Sequence, residues 1–307
     1  TTTQVAALNT TQVAGLASTQ VSALETTDIV ALTTTQIGAL AVAHVTALGT
    51  AQVRALETTD LAVLSTTQLR GLTTSQVAAL TTTQVGALTT TQVGGLSTAQ
   101  IRGLSSTQVS ALTTTQLGAF AATQVGALST SQLRGLDTTD IAGLTTTQVG
   151  ALTTTQIGAI GTTALRGLTS AQVAALTTTQ VGALTTTQIG SLKTTQVTGF
   201  ETTDLAALTT TQVGGLTSTQ VGALTTTQVR GLESTDVGAL TTTQLGGLKS
   251  TQVGALTTTQ VGGLTSTQVG ALTTTQVTGL TSTEMGNLAA MGVGGMTKTQ
   301  SGALATN

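Results

Sequence analysis

The 307-residue chain is 39% hydrophobic but only 7% charged, with a formal net charge of −2 at pH 7. Chains that stay disordered pair low hydrophobicity with high net charge, which this one does not, and so small a charge supplies no field to draw nucleic acid or an anionic membrane surface. It has no cysteine, and Phe120 and Phe200 are its only aromatics, so a disulfide framework, a thiolate metal site and a stacking platform for bases or sugars are all excluded.

From Thr1 the chain reads in blocks of eight: TTTQVAAL, NTTQVAGL, ASTQVSAL, ETTDIVAL. Thirty-eight octads run without insertion or deletion, followed by Ala305, Thr306 and Asn307. A fixed short period predicts one small unit that packs only on its neighbours, a solenoid. Counting from the first Thr of TTTQVGAL, position 8 is apolar in every octad, and position 5 is Val, Ile, Leu or Met except at Ser301. These two positions are the expected core. Position 7 is Ala or Gly except at Val63, Ser191 and Asn287, which predicts close approach of another backbone. Position 2 is Thr or Ser in 34 octads, which predicts a specific backbone hydrogen bond. Positions 1 and 6 vary most and carry 13 of the 20 charged residues, all six Arg among them, so they are expected to face solvent.

Within each octad the local grammar favours a short helix. Thr at position 1 and Gln at position 4 have the spacing of a capping box, and the flanking Leu and Val have that of a hydrophobic staple. Position 2 is an alternative N-cap. Either register predicts roughly two turns of helix and then a reset. One continuous helix is disfavoured, because apolar spacings of 3 and 5 average about 4 residues per turn, too far from about 3.6. The rival is a β-solenoid, which the Thr and Val content and possible columns of Thr and Gln would suit. Strict strand alternation, however, cannot turn positions 5 and 8 inward together without a bend. The expected fold class is an all-α solenoid of 38 octapeptide repeats, each a short capped helix, with the β-solenoid as alternative.

Along the chain, the first departures are acidic. Glu25 at position 1 comes with Asp28 at position 4, and the pairing recurs as Glu57 with Asp60, Asp137 with Asp140, Glu201 with Asp204 and Glu233 with Asp236. Two carboxylates three residues apart make weak candidates for a divalent cation, which needs further oxygen ligands. They equally complement a helix dipole. Arg54, Arg134 and Arg230 each stand three residues before an acidic pair, which points to local charge pairing. His44, the only histidine, replaces a Gln without an acidic or Cys companion in its octad and reads as a tolerated polar substitution.

From residue 65 a second period appears. Arg70, Arg102, Arg134 and Arg166 are 32 residues apart at position 6, Thr198 fills the next slot and Arg230 the one after. Four octads therefore form a larger unit, either a duplicated block or a whole number of octads completing a coil turn, with pairing of octads into layers as one arrangement. The pattern decays in TSTEMGNL, AAMGVGGM and TKTQSGAL, which bring in Met285, Met291 and Met296. The expected organisation is a continuous repeat array over 1–284 and degenerate repeats over 285–307, a cap or a junction. Thr1 falls in mid-pattern, so the chain is expected to be a segment of a longer protein.

The octad LTTTQVGAL resembles repeats of very large bacterial secreted or surface proteins of the adhesin-like kind. That resemblance implies an exported, extracellular or cell-surface structural role and carries no catalytic residue across. Taken with the residues themselves, it leads to a non-enzymatic structural protein without cofactor. Its expected partner is itself, in a homo-oligomer or filament, with neither nucleic acid nor membrane insertion. Rows of Thr facing ice or a glycan, or repeats stabilised by calcium, are the alternatives.

Overall fold

The computed structural model describes residues 1–290 and 296–304; Met291 of the degenerate octads lies outside them. Among the described residues all regular structure is helical. Thirty-seven helices follow one another there from Thr2–Ala6 to Lys298–Leu304, one starting in each octad from 1–8 to 281–288 and one in 297–304, and no strand occurs among those residues. The all-α solenoid is the fold, and the β-solenoid is not.

Each octad is built the same way. Position 1 is the N-cap, in extended conformation: Thr89 has φ −70° and ψ 157°. Positions 2 to 5, 6 or 7 are helical, as in Thr90–Gly95. The Leu at position 8 stops the helix by returning to extended backbone, as Leu96 does at φ −63° and ψ 144°, while its N–H still donates to the Val93 carbonyl. Two successive extended residues, Leu96 and the next cap Ser97, reset the direction before the next helix. The helices are shorter than the expected two turns. Most have 4 to 6 residues, little more than one turn at about 3.6 residues each. Isolated helices of this length are unstable in water, so packing and capping must hold them. Near the end the unit loosens, and Ser282–Ala290 is a nine-residue helix.

The octads divide into two compact units, Thr1–Leu152 and Thr153–Asn307, with the division at a seam between octads. In the first unit Thr74–Ala79 packs against Thr50–Ala55 and Thr98–Gly103, the helices three octads away on either side. In the second, Thr226–Gly231 packs against Thr202–Ala206 in the same way. Hydrogen bonds from position 4 reach the fourth preceding octad instead, as from Gln92 to Leu64. One turn of the coil therefore takes between three and four octads. Neither a pairing of octads into layers nor a whole number per turn is found within either unit.

Positions 5 and 8 fill the core as expected. Val93, Ile101 and Ile189 are fully buried, and Leu96 and Leu216 nearly so. Burying each such side chain contributes roughly 1.5–3 kcal/mol. All six arginines are exposed at position 6, as are Lys193 and Lys249 at position 1.

Position 7 makes the expected close approach, and its partner is position 2 of the octad three earlier. A Cβ on Gly215 would lie 2.8 Å from the Thr186 carbonyl oxygen, and one on Gly103 3.1 Å from that of Thr74. The small residue at position 7 thus answers to the backbone of position 2 a turn away. Gly143 shows that the need is for room and not for unusual backbone, since its φ is −77°. Position 6 is a seam as well as a surface. A Cβ on Gly94 would come within 2.9 Å of the Ala119 carbonyl, three octads on. At two polar position-6 residues that carbonyl gains a donor: Thr46 Oγ1 bonds to Gly71 O at 2.8 Å and Arg230 Nε to Ala255 O at 2.9 Å, whereas Thr198 and Thr278 bond within their own octads.

Candidate functional site

The core holds a third residue that the octad pattern did not announce. Glutamine at position 4 completes the expected capping box: in the octad 89–96, Gln92 Oε1 accepts from Thr89 N at 2.8 Å, and Thr89 Oγ1 accepts from Gln92 N at 3.2 Å. Yet Gln92 is only 4% exposed. Its amide nitrogen points into the preceding turn and donates to the carbonyls of Leu61 and Leu64, each at 2.7 Å. The same bonds recur in both units, from Gln76 to Val45 and Leu48 and from Gln260 to Val229 and Leu232. The end of a helix leaves carbonyls without intrahelical partners. One side chain thus caps the start of its own helix and the end of another, 28 residues back. In the first three octads, Gln4, Gln12 and Gln20 have no fourth predecessor in this sequence, and they are exposed. The signal for burial was present, since Gln fills position 4 in 29 octads, but a helix N3 residue normally faces solvent.

Departures from Gln show what the position requires. His44 is 4% exposed and reproduces both halves of the amide. Its Nδ1 lies 3.1 Å from Ala41 N and its Nε2 2.8 Å from Leu16 O. Because Ala41 N–H must donate, Nδ1 accepts and Nε2 carries the proton, the neutral tautomer. Glu284 keeps only the accepting half, taking the Thr281 N–H at 2.7 Å.

The acidic octads divide their two carboxylates. Glu25, Glu57, Asp137, Glu201 and Glu233 are exposed at position 1. Asp60, Asp140, Asp204 and Asp236 are buried at position 4, and Asp28, in the fourth octad, is half-buried. Each position-4 aspartate accepts the N–H of its own N-cap residue, at 3.0 Å for Asp60 and Asp140, 3.1 Å for Asp204, and 3.3 Å for Asp28 and Asp236. Burial pushes the carboxyls of Asp60, Asp140, Asp204 and Asp236 above the ordinary value of 3.8; the N-cap hydrogen bond opposes this and the nearby position-1 carboxylate adds to it. Asp137 goes the other way. The Thr139 hydroxyl, 2.6 Å from its Oδ1, and then the Asp140 N–H hold it below 3.8. Among the described residues, no three Asp, Glu or His side chains converge in a group able to hold a metal ion.

One open groove of about 460 Å³ lies in the second unit, lined by Ser170, Ala174, Thr198, Phe200, Glu201 and Thr225 among others. Phe200 stands at position 8, where Leu is usual, and is itself buried. Glu201 is the one acidic candidate on this groove. Among the described residues, no buried side-chain nitrogen or oxygen lacks a hydrogen-bond partner, and no helix is long and apolar enough to cross a membrane.

Seven segments of the chain, 21–58, 53–90, 90–122, 119–154, 154–186, 197–232 and 229–266, match the family described as the ALTTAQ repeat. Comparison with curated proteins finds no match.

Proposed function

Since the chain belongs to the ALTTAQ repeat family, we propose that it is a non-enzymatic structural scaffold, an extracellular or cell-surface fibre, sheath or adhesin stalk that assembles with its own kind. The glutamine ladder carries this reading. Every turn offers amide donors on one side and the matching carbonyl acceptors on the other, as Gln260 and Leu232 do. A unit with two different and complementary faces stacks head to tail, and such contacts propagate when they do not close. Among the described residues every buried side-chain nitrogen and oxygen has a hydrogen-bond partner, for the glutamines mostly backbone, which favours a packing role over a reacting one. The extracellular or surface placement rests on the resemblance of the octad to repeats of bacterial adhesin-like proteins.

Negative-stain microscopy of the purified chain over a range of concentrations tests the assembly. Filaments that lengthen with concentration are expected; short, dispersed particles at every concentration would sink it.

A second reading is favoured by the exposure of position 3, which is Thr in most octads and lies at the surface at Thr83, Thr91, Thr211 and Thr227. Such regular hydroxyl rows suit an ice or glycan surface. A thermal-hysteresis assay at high protein concentration that shows no activity removes the ice version.

A further inference from the structure

The acidic octads break the ladder in one specific way. At position 4 a glutamine gives hydrogens to the carbonyls 31 and 28 residues earlier, as Gln92 does to Leu61 and Leu64. In the same register, the carbonyls beneath Asp60 are those of Ile29 and Leu32, and those beneath Asp236 are Leu205 and Leu208. Beneath Asp204 they are Val173 and Leu176. An aspartate keeps the accepting half of the amide, through its N-cap bond. When ionised it has no hydrogen to give to the carbonyls beneath it. Of each pair the first carbonyl, that of Ile29, Val173 or Leu205, already accepts the N–H three residues on, so the donor is missing at Leu32, Leu176 and Leu208, and a buried carbonyl without one is destabilising.

We propose that Asp60, Asp204 and Asp236 are proton-operated latches between turns of the coil: the neutral carboxyl offers the preceding turn the donor that glutamine offers elsewhere, and the carboxylate withdraws it and repels the carbonyls. The surrounding charges act in the same direction for two of the three. Beneath Asp60 lies the octad of Glu25 and Asp28, its own octad carries Glu57, and Arg54 and Arg70 on the flanking octads are exposed. The helices three octads away, Thr34–Gly38 and Thr82–Gly86, and the fourth octad on, Thr90–Gly95, carry no charge. Asp236 repeats this arrangement, with Glu201 and Asp204 beneath, Glu233 beside it, Arg230 exposed on the preceding octad, and uncharged helices Thr210–Val213, Thr258–Gly262 and Ser266–Ala271. Asp204 has Glu201 beside it, Lys193 on the preceding octad, Arg230 three octads on, and Glu233 and Asp236 four octads on; Ser170–Ala174 and Thr178–Gly182 are uncharged.

The upward push on all three carboxyls fixes the sign. A group that binds its proton more tightly when folded stabilises most below its unfolded value, here 3.8, and that stabilisation is lost as pH rises through the folded value. Acidification from neutral pH therefore tightens these seams.

Hydrogen exchange of the whole chain in a chelating buffer, corrected for intrinsic rates, reads each seam separately. Protection of residues 57–64 and 233–240, taken relative to the glutamine octad 89–96, is expected to rise several-fold between pH 7 and pH 4.5. In Asp60→Asn, a constant mimic of the neutral carboxyl, the change at 57–64 should vanish while that at 233–240 persists. Asp60→Gln, which restores the commoner residue and leaves the fold intact, should protect 57–64 at pH 7 as strongly as acid does. A wild-type ratio that does not move with pH overturns the proposal, and so does an unchanged pH response in Asp60→Asn. Calcium chloride at pH 7 protecting 57–64 as acid does would also overturn it, by assigning the seat to a cation.

Discussion

The side-chain amide of Gln92 sits 2.7 Å from the carbonyl oxygen of Leu64, 28 residues earlier in the chain. That bond ties the end of one short helix to the start of another a turn away, and its repetition turns a string of helices too short to stand alone into a coil. Replacing Gln92 by Ala removes the N-cap acceptor and leaves the Leu64 carbonyl unserved, at a cost of about 1–3 kcal/mol. Gln92→Glu keeps the acceptor and loses only the donor. Hydrogen exchange should report loosening at both 58–64 and 90–95 for Ala, but mainly at 58–64 for Glu. Loosening confined to 90–95 in both variants would mean that the inter-turn bond contributes nothing.

Gly215 and Gly246 should answer the same substitution with opposite signs. A Cβ at Gly215 meets the Thr186 carbonyl at 2.8 Å, whereas at Gly246 nothing lies within 4 Å. Gly215→Ala forces the turns apart and is expected to destabilise by roughly 1–3 kcal/mol. Gly246→Ala, at the end of the helix Thr242–Gly246, should stabilise by up to about 0.5–1 kcal/mol through helix propensity. Thermal unfolding followed by far-UV circular dichroism separates them; equal shifts would refute the seam.

His44 is predicted to be exchangeable with Gln and with little else. Since its ring serves Ala41 N and Leu16 O together, His44→Gln should change stability by less than about 0.5 kcal/mol. His44→Leu should cost about 1–3 kcal/mol. A stable His44→Leu variant would show the two ring contacts to be incidental.

Asp137 gives a pH dependence of the reverse sign to that of the buried aspartates. Its carboxyl is held below 3.8 by Thr139 first and then by Asp140, so the stabilisation it provides is present above 3.8 and fades as pH falls through its lowered value. Replacing this exposed N-cap by Ala should cost roughly 0.5–1 kcal/mol at pH 7 and almost nothing well below its folded value. An Ala penalty that is constant with pH would contradict the assignment.

Much of the unit was legible because it is local. The cap at position 1, the Gln partner at position 4 and the apolar pair at 5 and 8 all act within eight residues, and Thr89, Gln92, Val93 and Leu96 each stand as their types predict. What the sequence concealed lies between turns. Gly215 at position 7 is confined by the Thr186 carbonyl, 29 residues away, a neighbour that no reading within eight residues supplies. The capping-box spacing gives Gln92 its partner Thr89, but its second set of partners, Leu61 and Leu64, is a turn away. The acidic pairs likewise looked like two equivalent carboxylates, when the coil exposes Glu57 and buries Asp60.

Each glutamine of the ladder donates backward along the chain, to carbonyls that precede it, as Gln36 does to Leu8 and Gln276 to Leu248. Acceptors are therefore made before their donors. A chain leaving the ribosome can complete every step as soon as it is synthesised, without waiting for sequence still to come, whereas refolding from a denatured state can start anywhere and must reconcile separate coils in register. Synthesis order and bond direction agree in this protein. Protease resistance of arrested nascent chains should then grow octad by octad once the fifth has emerged, where a single late jump would show that the direction of the ladder has no bearing on how it forms.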